Sequence, residues 1–342
     1  MRLILIPKKA FFSHRIDHQG VILSVSVNIP ITEIKTMPKS LLTIIFIITA
    51  LSIPASSLDF SQRKAQDPNT LRKIITKLNP LHTKLPETPA PGDWLDSHPE
   101  EGQTFDDYLE YEINRASKKR HTIYIQPLGL FTASERKIVK TTAKFMSLYF
   151  DLPVKVLKTM PLSLIPKKAQ RRHPSWGNKQ LLTSYILYKL LKPRVPKDAV
   201  AYIAFTGTDL YPEPDWNFVY GQAVLKSRVG VWSLYRNGNP DISAESYKLA
   251  LLRTLKTGTH EMGHMFSIKH CIAWHCNMNG SNHREESDSK PLYLCPECAA
   301  KLSYACGSDL LTRYKNLLSF TRRHGFHNAS GYYKKAMRAL KN

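Results

Sequence analysis

The segment HEMGHMFSIKHC, His260 to Cys271, holds the residue types and spacing that most directly imply chemistry. On a helix, positions i and i+4 share a face, so His260 and His264 can aim their imidazoles at one ion. Glu261, one residue round, can reach water near that ion. A catalytic zinc takes three protein ligands and keeps one position open, and His270 supplies the third if the helix ends and the chain turns back. By residue frequencies alone an HExxH pattern turns up in about one chain of this length in fifty. The added histidine lowers that to well below about one in a hundred, so chance is the weaker explanation.

A second group follows at once. Cys271, Cys276, Cys295 and Cys298 are spaced C-x4-C-x18-C-x2-C, and four thiolates in two close pairs form the closed tetrahedral shell of a structural zinc. Disulfides are the alternative, and His275 or His283 stands close enough to replace a cysteine. Pro296 after Cys295 reads as the first turn of a helix. Cys306 has no evident partner and reads as a buried thiol. Met278, two residues past Cys276, would by itself read as core filler.

The elements that must position these residues alternate in type. His121–Leu128 has the alternation of a half-buried strand, and Thr132–Glu135 is a capping box opening a helix with Val139, Ala143 and Met146 on one face. Pro153–Leu157 reads as a strand, a helix is expected near Gln180–Leu191, and Asp198–Gly207 reads as a buried strand. Asn217–Leu225 and Arg228–Leu234 read as two strands joined by a tight turn. One of these two should form the cleft edge that pairs with an extended peptide. Leu251, Leu255, Met262 and Phe266 give the histidine helix an apolar stripe opposite its ligands. A mixed sheet with helices against it is the expected α/β (α+β) architecture.

At these residues the chain resembles the archaemetzincins, or archaelysins, whose hallmark is HExxHxxGxxHC followed by C-x-M and a later CxxC. Further similarity lies in YIQPLG, in DLYPEPDWNFVYGQA with RVGVWS after it, in NGSNHREESDSKPLYLCPEC and in DWLDSHPE. It extends over roughly Leu58 to Leu318. The resemblance implies a zincin (metzincin-like) fold: a twisted mixed sheet, a backing helix, an active-site helix, and a smaller C-terminal subdomain with the cysteine site. It implies two zinc ions per chain, a catalytic one on His260, His264 and His270 and a structural one on Cys271, Cys276, Cys295 and Cys298. Met278 would form a Met-turn beneath the first. The implied activity is zinc-dependent hydrolysis of peptide bonds, aminopeptidase-like, with Glu261 as general base and a peptide or protein as substrate. One departure is Ser267, which stands where the family has glycine at a left-handed turn; that conformation costs a serine roughly 1 kcal/mol. The departure favours the alternative function, a catalytically weak or inactive zinc protein that binds peptides.

The whole sequence sets looser bounds. Its 342 residues, 42% hydrophobic and 22% charged, suit a soluble globular protein. The net charge of +22, from 49 Lys and Arg against 27 Asp and Glu, would suit nucleic acid, an anionic membrane or acidic peptides. The basic residues are scattered, so no specific nucleic-acid partner is expected. We divide the chain into residues 1–57, an extension with a candidate signal peptide at 37–57; 58–119, an accessory or linker region; and 120–342, the catalytic domain. The apolar run at 41–53 is too short for a stable membrane span. The family resemblance points to the cytosol, and the 37–57 segment to secretion. A glycosylation sequon at Asn279, inside the proposed metal loop, weighs against secretion. Oligomeric state is not legible.

Overall fold

The computed structural model describes Arg63 and residues 66–341; the candidate signal segment at 37–57 lies outside the described residues. In chain order the principal elements are α1 (Pro68–Leu78), α2 (Phe105–Glu110), β1 (Thr122–Leu128), α3 (Ala133–Phe150), β2 (Val154–Val156), β3 (Gln170–Arg172), β4 (Lys179–Leu182), β5 (Ala199–Thr206), β6 (Asp209–Tyr211), β7 (Gly221–Val224) and β8 (Val229–Ser233). They continue with α4 (Ala244–Met265), α5 (Arg284–Ser289), α6 (Pro296–Cys306), α7 (Leu310–Arg323) and α8 (His327–Lys341).

The expected mixed sheet is present. Its five strands run in the order β2-β1-β5-β8-β7, parallel except for β7, which pairs antiparallel with β8 at the edge. Every residue of β1 and β5 is buried, as befits parallel strands covered on both faces. Ile123, Ile125, Ile203 and Phe205 point to the core built with α3 and α4, and Tyr124, Tyr202 and Ala204 point to the opposite layer, built on Ile186–Leu191. The period of two thus divides each strand between two cores. Strand β8 is paired on both sides, so of these two strands β7 lies at a sheet edge, with β2 at the other.

The capping box of α3 forms as expected: Thr132 N donates to Glu135 at 2.8 Å and Glu135 N donates to the Thr132 hydroxyl at 3.2 Å. The helix expected near Gln180 begins instead at Thr183, and Lys179–Leu182 is β4. The buried Gln180 amide donates to Asp209 at 2.8 Å and to the Asn217 carbonyl at 2.7 Å. Those tertiary bonds hold the segment extended and override its helical pattern.

Helix α1 packs against α6 and α8, and α2 against α6. Tyr108 of α2 lies in the main core, where its hydroxyl donates to the Phe266 carbonyl at 2.6 Å. The cysteine-bearing segment shares that core, since Cys276 and Cys295 fall in one cluster with Phe150 and Met262. Among the described residues no helix is long and apolar enough to cross a membrane.

Candidate metal centre

Helix α4 delivers the first two imidazoles. Ser243 caps its start, accepting from Ser246 N, and Leu251, Leu255 and Met262 bury the opposite stripe. At its end Phe266 N donates to Gly263 O at 3.0 Å and Ser267 N to His264 O at 2.8 Å, and Ile268 N turns back to Gly263 O at 3.2 Å. Ser267 does adopt the left-handed conformation, with φ of 66°. Its carbonyl accepts from Gln103, and its hydroxyl accepts from Asn114 N at 3.1 Å. The reversal brings His270 to the other two: ring centroids lie 4.6 Å apart for His260 and His264, 5.3 Å for His260 and His270, and 4.8 Å for His264 and His270.

Each ring is oriented by its Nδ1. His260 Nδ1 donates to Asn277 O at 2.8 Å, His264 Nδ1 to Ile268 O at 2.7 Å, and His270 Nδ1 to a Glu100 carboxylate oxygen at 2.8 Å. With the protons fixed there, the Nε2 lone pairs are left to converge. Those of His260 and His264 face one another at 3.0 Å, an arrangement of two acceptors that a shared cation satisfies. Burial, reinforced by the neighbouring histidines, holds His260 well below the ordinary histidine pKa and His264 at about 4. Burial also lowers His270, against the pull of Glu100. The donor set is therefore neutral imidazole, as a zinc ligand must be.

The Glu261 carboxylate has no hydrogen-bond partner among the described residues. Burial raises its pKa to about 7, with Lys290 opposing. Met278 lies directly beneath: a Cβ at Gly263 would come within 2.5 Å of its Sδ, so the helix can rest on this methionine only through a glycine.

Cys271, Cys276, Cys295 and Cys298 are buried, and their sulfurs group within 4.8 Å of one another. Cys271 and Cys295 sulfurs lie 3.7 Å apart, far from the ~2.05 Å of a disulfide. Backbone N–H groups of Met278 and Cys295 donate to Cys276 Sγ at 3.4 and 3.2 Å, the kind of support that thiolates accept. Cys295 caps α6 with Pro296 in its first turn. His275 and His283 stay outside this group, the latter donating to Asp93 at 2.8 Å. Cys306 is buried apart, its thiol pushed up to about 12 by burial. The Asn279 amide is buried and donates to the Cys271 and Trp274 carbonyls at 2.6 and 2.9 Å, which leaves no room for a glycan.

Residues 58–119, expected to be an accessory or linker region, supply Glu100 and Trp94 to the site. Trp94 meets the His270 ring edge-on at 5.1 Å, and its Nε1 donates to Glu100 at 2.8 Å. The signal was the DWLDSHPE stretch, which ends on Glu100. A cleft of about 640 Å³ opens over the histidines, lined by Trp94, Trp216, Phe218 and Tyr220 as well as by α4.

A helix that presents two imidazoles and an uncommitted carboxylate to a peptide-sized cleft, beside a free sheet edge, is the layout of zinc metallopeptidases, and the chain is an enzyme of that class. Residues 127–304 match the family model described as peptidase family M54. The chain belongs to that family, the archaemetzincins. It is 36% identical to archaemetzincin-2 of Rattus norvegicus over 261 residues, covering 67% of this chain and 72% of the relative. To archaemetzincin-1 of Mus musculus it is 28% identical over 264 residues, covering 67% of this chain and 52% of the relative. The crystal structure of archaemetzincin from Methanopyrus kandleri is 29% identical and matches 54% of this chain and 94% of that one, with a TM-score of 0.42.

Proposed function

We propose that His260, His264 and His270 hold the catalytic zinc through their Nε2 atoms, and that Glu261 is the general base of peptide-bond hydrolysis. The observation that carries this reading is the pair of facing Nε2 atoms at 3.0 Å, with every Nδ1 already committed elsewhere. Zinc at such a site acts as a Lewis acid and lowers the pKa of water. Glu261 takes the proton from the attacking water on a carboxylate oxygen and passes it to the leaving amine. Glu100 holds the His270 ring in register, and the β7 edge offers its backbone to an extended substrate. A second zinc sits on the four cysteines and ties the post-helix loop to α6, giving two ions per chain. Within this reading the activity is aminopeptidase-like.

The test is cleavage of a peptide library by the zinc-loaded chain, with Glu261→Gln as control and each peptide also supplied N-acetylated. The expected result is zinc-dependent cleavage that the substitution abolishes without loss of metal. Hydrolysis that survives Glu261→Gln removes that residue from the mechanism, and equal cleavage of acetylated peptides removes the aminopeptidase part.

A further inference from the structure

The same cleft holds two lysines that the reaction above does not use. Lys256 lies one turn before His260 on the metal-facing side of α4 and is only 8% exposed. Lys290 follows α5 and is partly buried in the same wall. An ammonium has three donors, and among the described residues each of these has a single hydrogen-bond acceptor, a backbone carbonyl: Asp288 O for Lys256, at 2.7 Å, and Asn279 O for Lys290. Neither forms an ion pair among the described residues: Asp288 and Glu286 are engaged elsewhere, and Glu261, the general base of the proposed reaction, acts on Lys290 only through space, without a hydrogen bond. Asp288 gives both oxygens to Arg253, at 2.9 and 2.5 Å. Glu286 accepts from Trp94 N at 2.9 Å and Asn282 N at 2.5 Å. Ser281 and Ser287 also line the cavity, and their hydroxyls make no hydrogen bond among the described residues.

Two enclosed lysines with no carboxylate hydrogen-bonded to either, beside two idle hydroxyls, form a site that is incomplete by itself, since buried charge is tolerated when paired. We propose that Lys256 and Lys290, with Ser281 and Ser287, form a specificity pocket for a carboxylate of the peptide substrate. This rests on the hydrolytic reading given above. The carboxylate comes either from an acidic side chain next to the scissile bond or from a free C-terminus, and both offer the same two oxygens. Burial holds the ammonium groups below the ordinary lysine pKa, Lys256 at about 8 and Lys290 at about 7; a bound carboxylate favours their charged forms and reverses that shift.

The experiment compares matched peptides on the zinc-loaded full chain: Glu against Gln at each position flanking the cleaved bond, and free acid against C-terminal amide. Expected is a kcat/KM about tenfold higher for the member that carries the carboxylate, most of it in KM, as charge-assisted hydrogen bonds confer. The Glu/Gln arm and the acid/amide arm separate the two sources. Lys256→Gln and Lys290→Gln should each shrink the ratio. Equilibrium binding of the same pairs to the Glu261→Gln chain gives a readout free of catalysis: if no peptide is cleaved the hydrolytic reading falls, and the binding ratio still decides on the pocket. Equal rates and affinities for acidic and neutral members, or a preference unchanged by both lysine substitutions, overturns the proposal.

Discussion

The hydroxyl of Ser267 accepts a hydrogen bond from the backbone N–H of Asn114, 3.1 Å away, and thereby fastens the left-handed bend after α4 to the segment leading into β1. A serine with φ of 66° carries strain of roughly 1 kcal/mol relative to glycine. A net hydrogen bond contributes about the same in the opposite sense. The residue that departs from the family pattern therefore brings its own compensation, and the bend still presents His270 to the site. Ser267→Ala, which keeps the strain and loses the anchor, should lower stability by about 1 kcal/mol, whereas Ser267→Gly should stay close to the parent. Thermal denaturation of the zinc-loaded variants reads this; an alanine variant as stable as the parent would show that the Asn114 contact contributes nothing.

In the proposed centre Glu100 would act on the metal through His270, whose Nδ1 it holds at 2.8 Å. Burial raises its pKa, but hydrogen bonds from His270 and Trp94 outweigh that, and the net shift is downward, as for a carboxylate that stays charged against an imidazole N–H. Glu100→Gln can hold the ring but not reinforce its basicity, and loss of such an outer partner typically weakens metal affinity about 10–100-fold. Competition with a chelator should find that weakening in the zinc assigned to the three histidines. Unchanged affinity would make Glu100 a packing residue.

Much of the site was legible in the sequence because its signals are local. The spacing of His260, His264 and His270 and the cysteine pairs follow from helix geometry and ligand number, and the capping box at Thr132 sits in four consecutive residues. Glu100 was not legible, because no periodicity connects a loop carboxylate to a histidine 170 positions later. Strand β4 was missed for a related reason: the partner that holds Gln180 extended is Asp209, on another strand. Likewise, the strand pattern of Asn217–Leu225 forms only as Gly221–Val224: the Asn217 carbonyl accepts from Arg171, and Val219 N turns to the Leu210 carbonyl of β6 at 3.0 Å.

Acid should unfold the protein partly through its buried histidines. Burial holds His82 at about 4, below the ordinary 6.5, while its ring packs on Tyr332 and bonds that hydroxyl at 3.0 Å. Between those two values the unfolded chain binds a proton that the folded chain refuses, so stability falls as pH drops from about 6.5 towards 4 and is unaffected by this group above that range. His82→Phe removes the titration, and Tyr332 keeps the Tyr314 hydroxyl at 3.1 Å as partner. The variant should lose less melting temperature than the parent between pH 7 and pH 5. Parallel pH profiles would rule out His82 as a contributor.

The cysteine group makes a prediction that separates metal from oxidation. Cys295 both caps α6, through a bond from Cys298 N at 3.4 Å, and offers its sulfur to the cluster. A serine can still cap a helix but is a poor replacement for a thiolate on zinc. If the cysteines hold the proposed second zinc, Cys295→Ser should release it and cost a large part of the stability, because structural zinc contributes directly to folding. His264→Ala should release the other zinc and leave the loop intact. Thiol titration of the unfolded, unreduced parent should count five free cysteines once zinc is chelated. A count of three or one would mean that the buried pairs close as disulfides, and the second metal site would have to be abandoned.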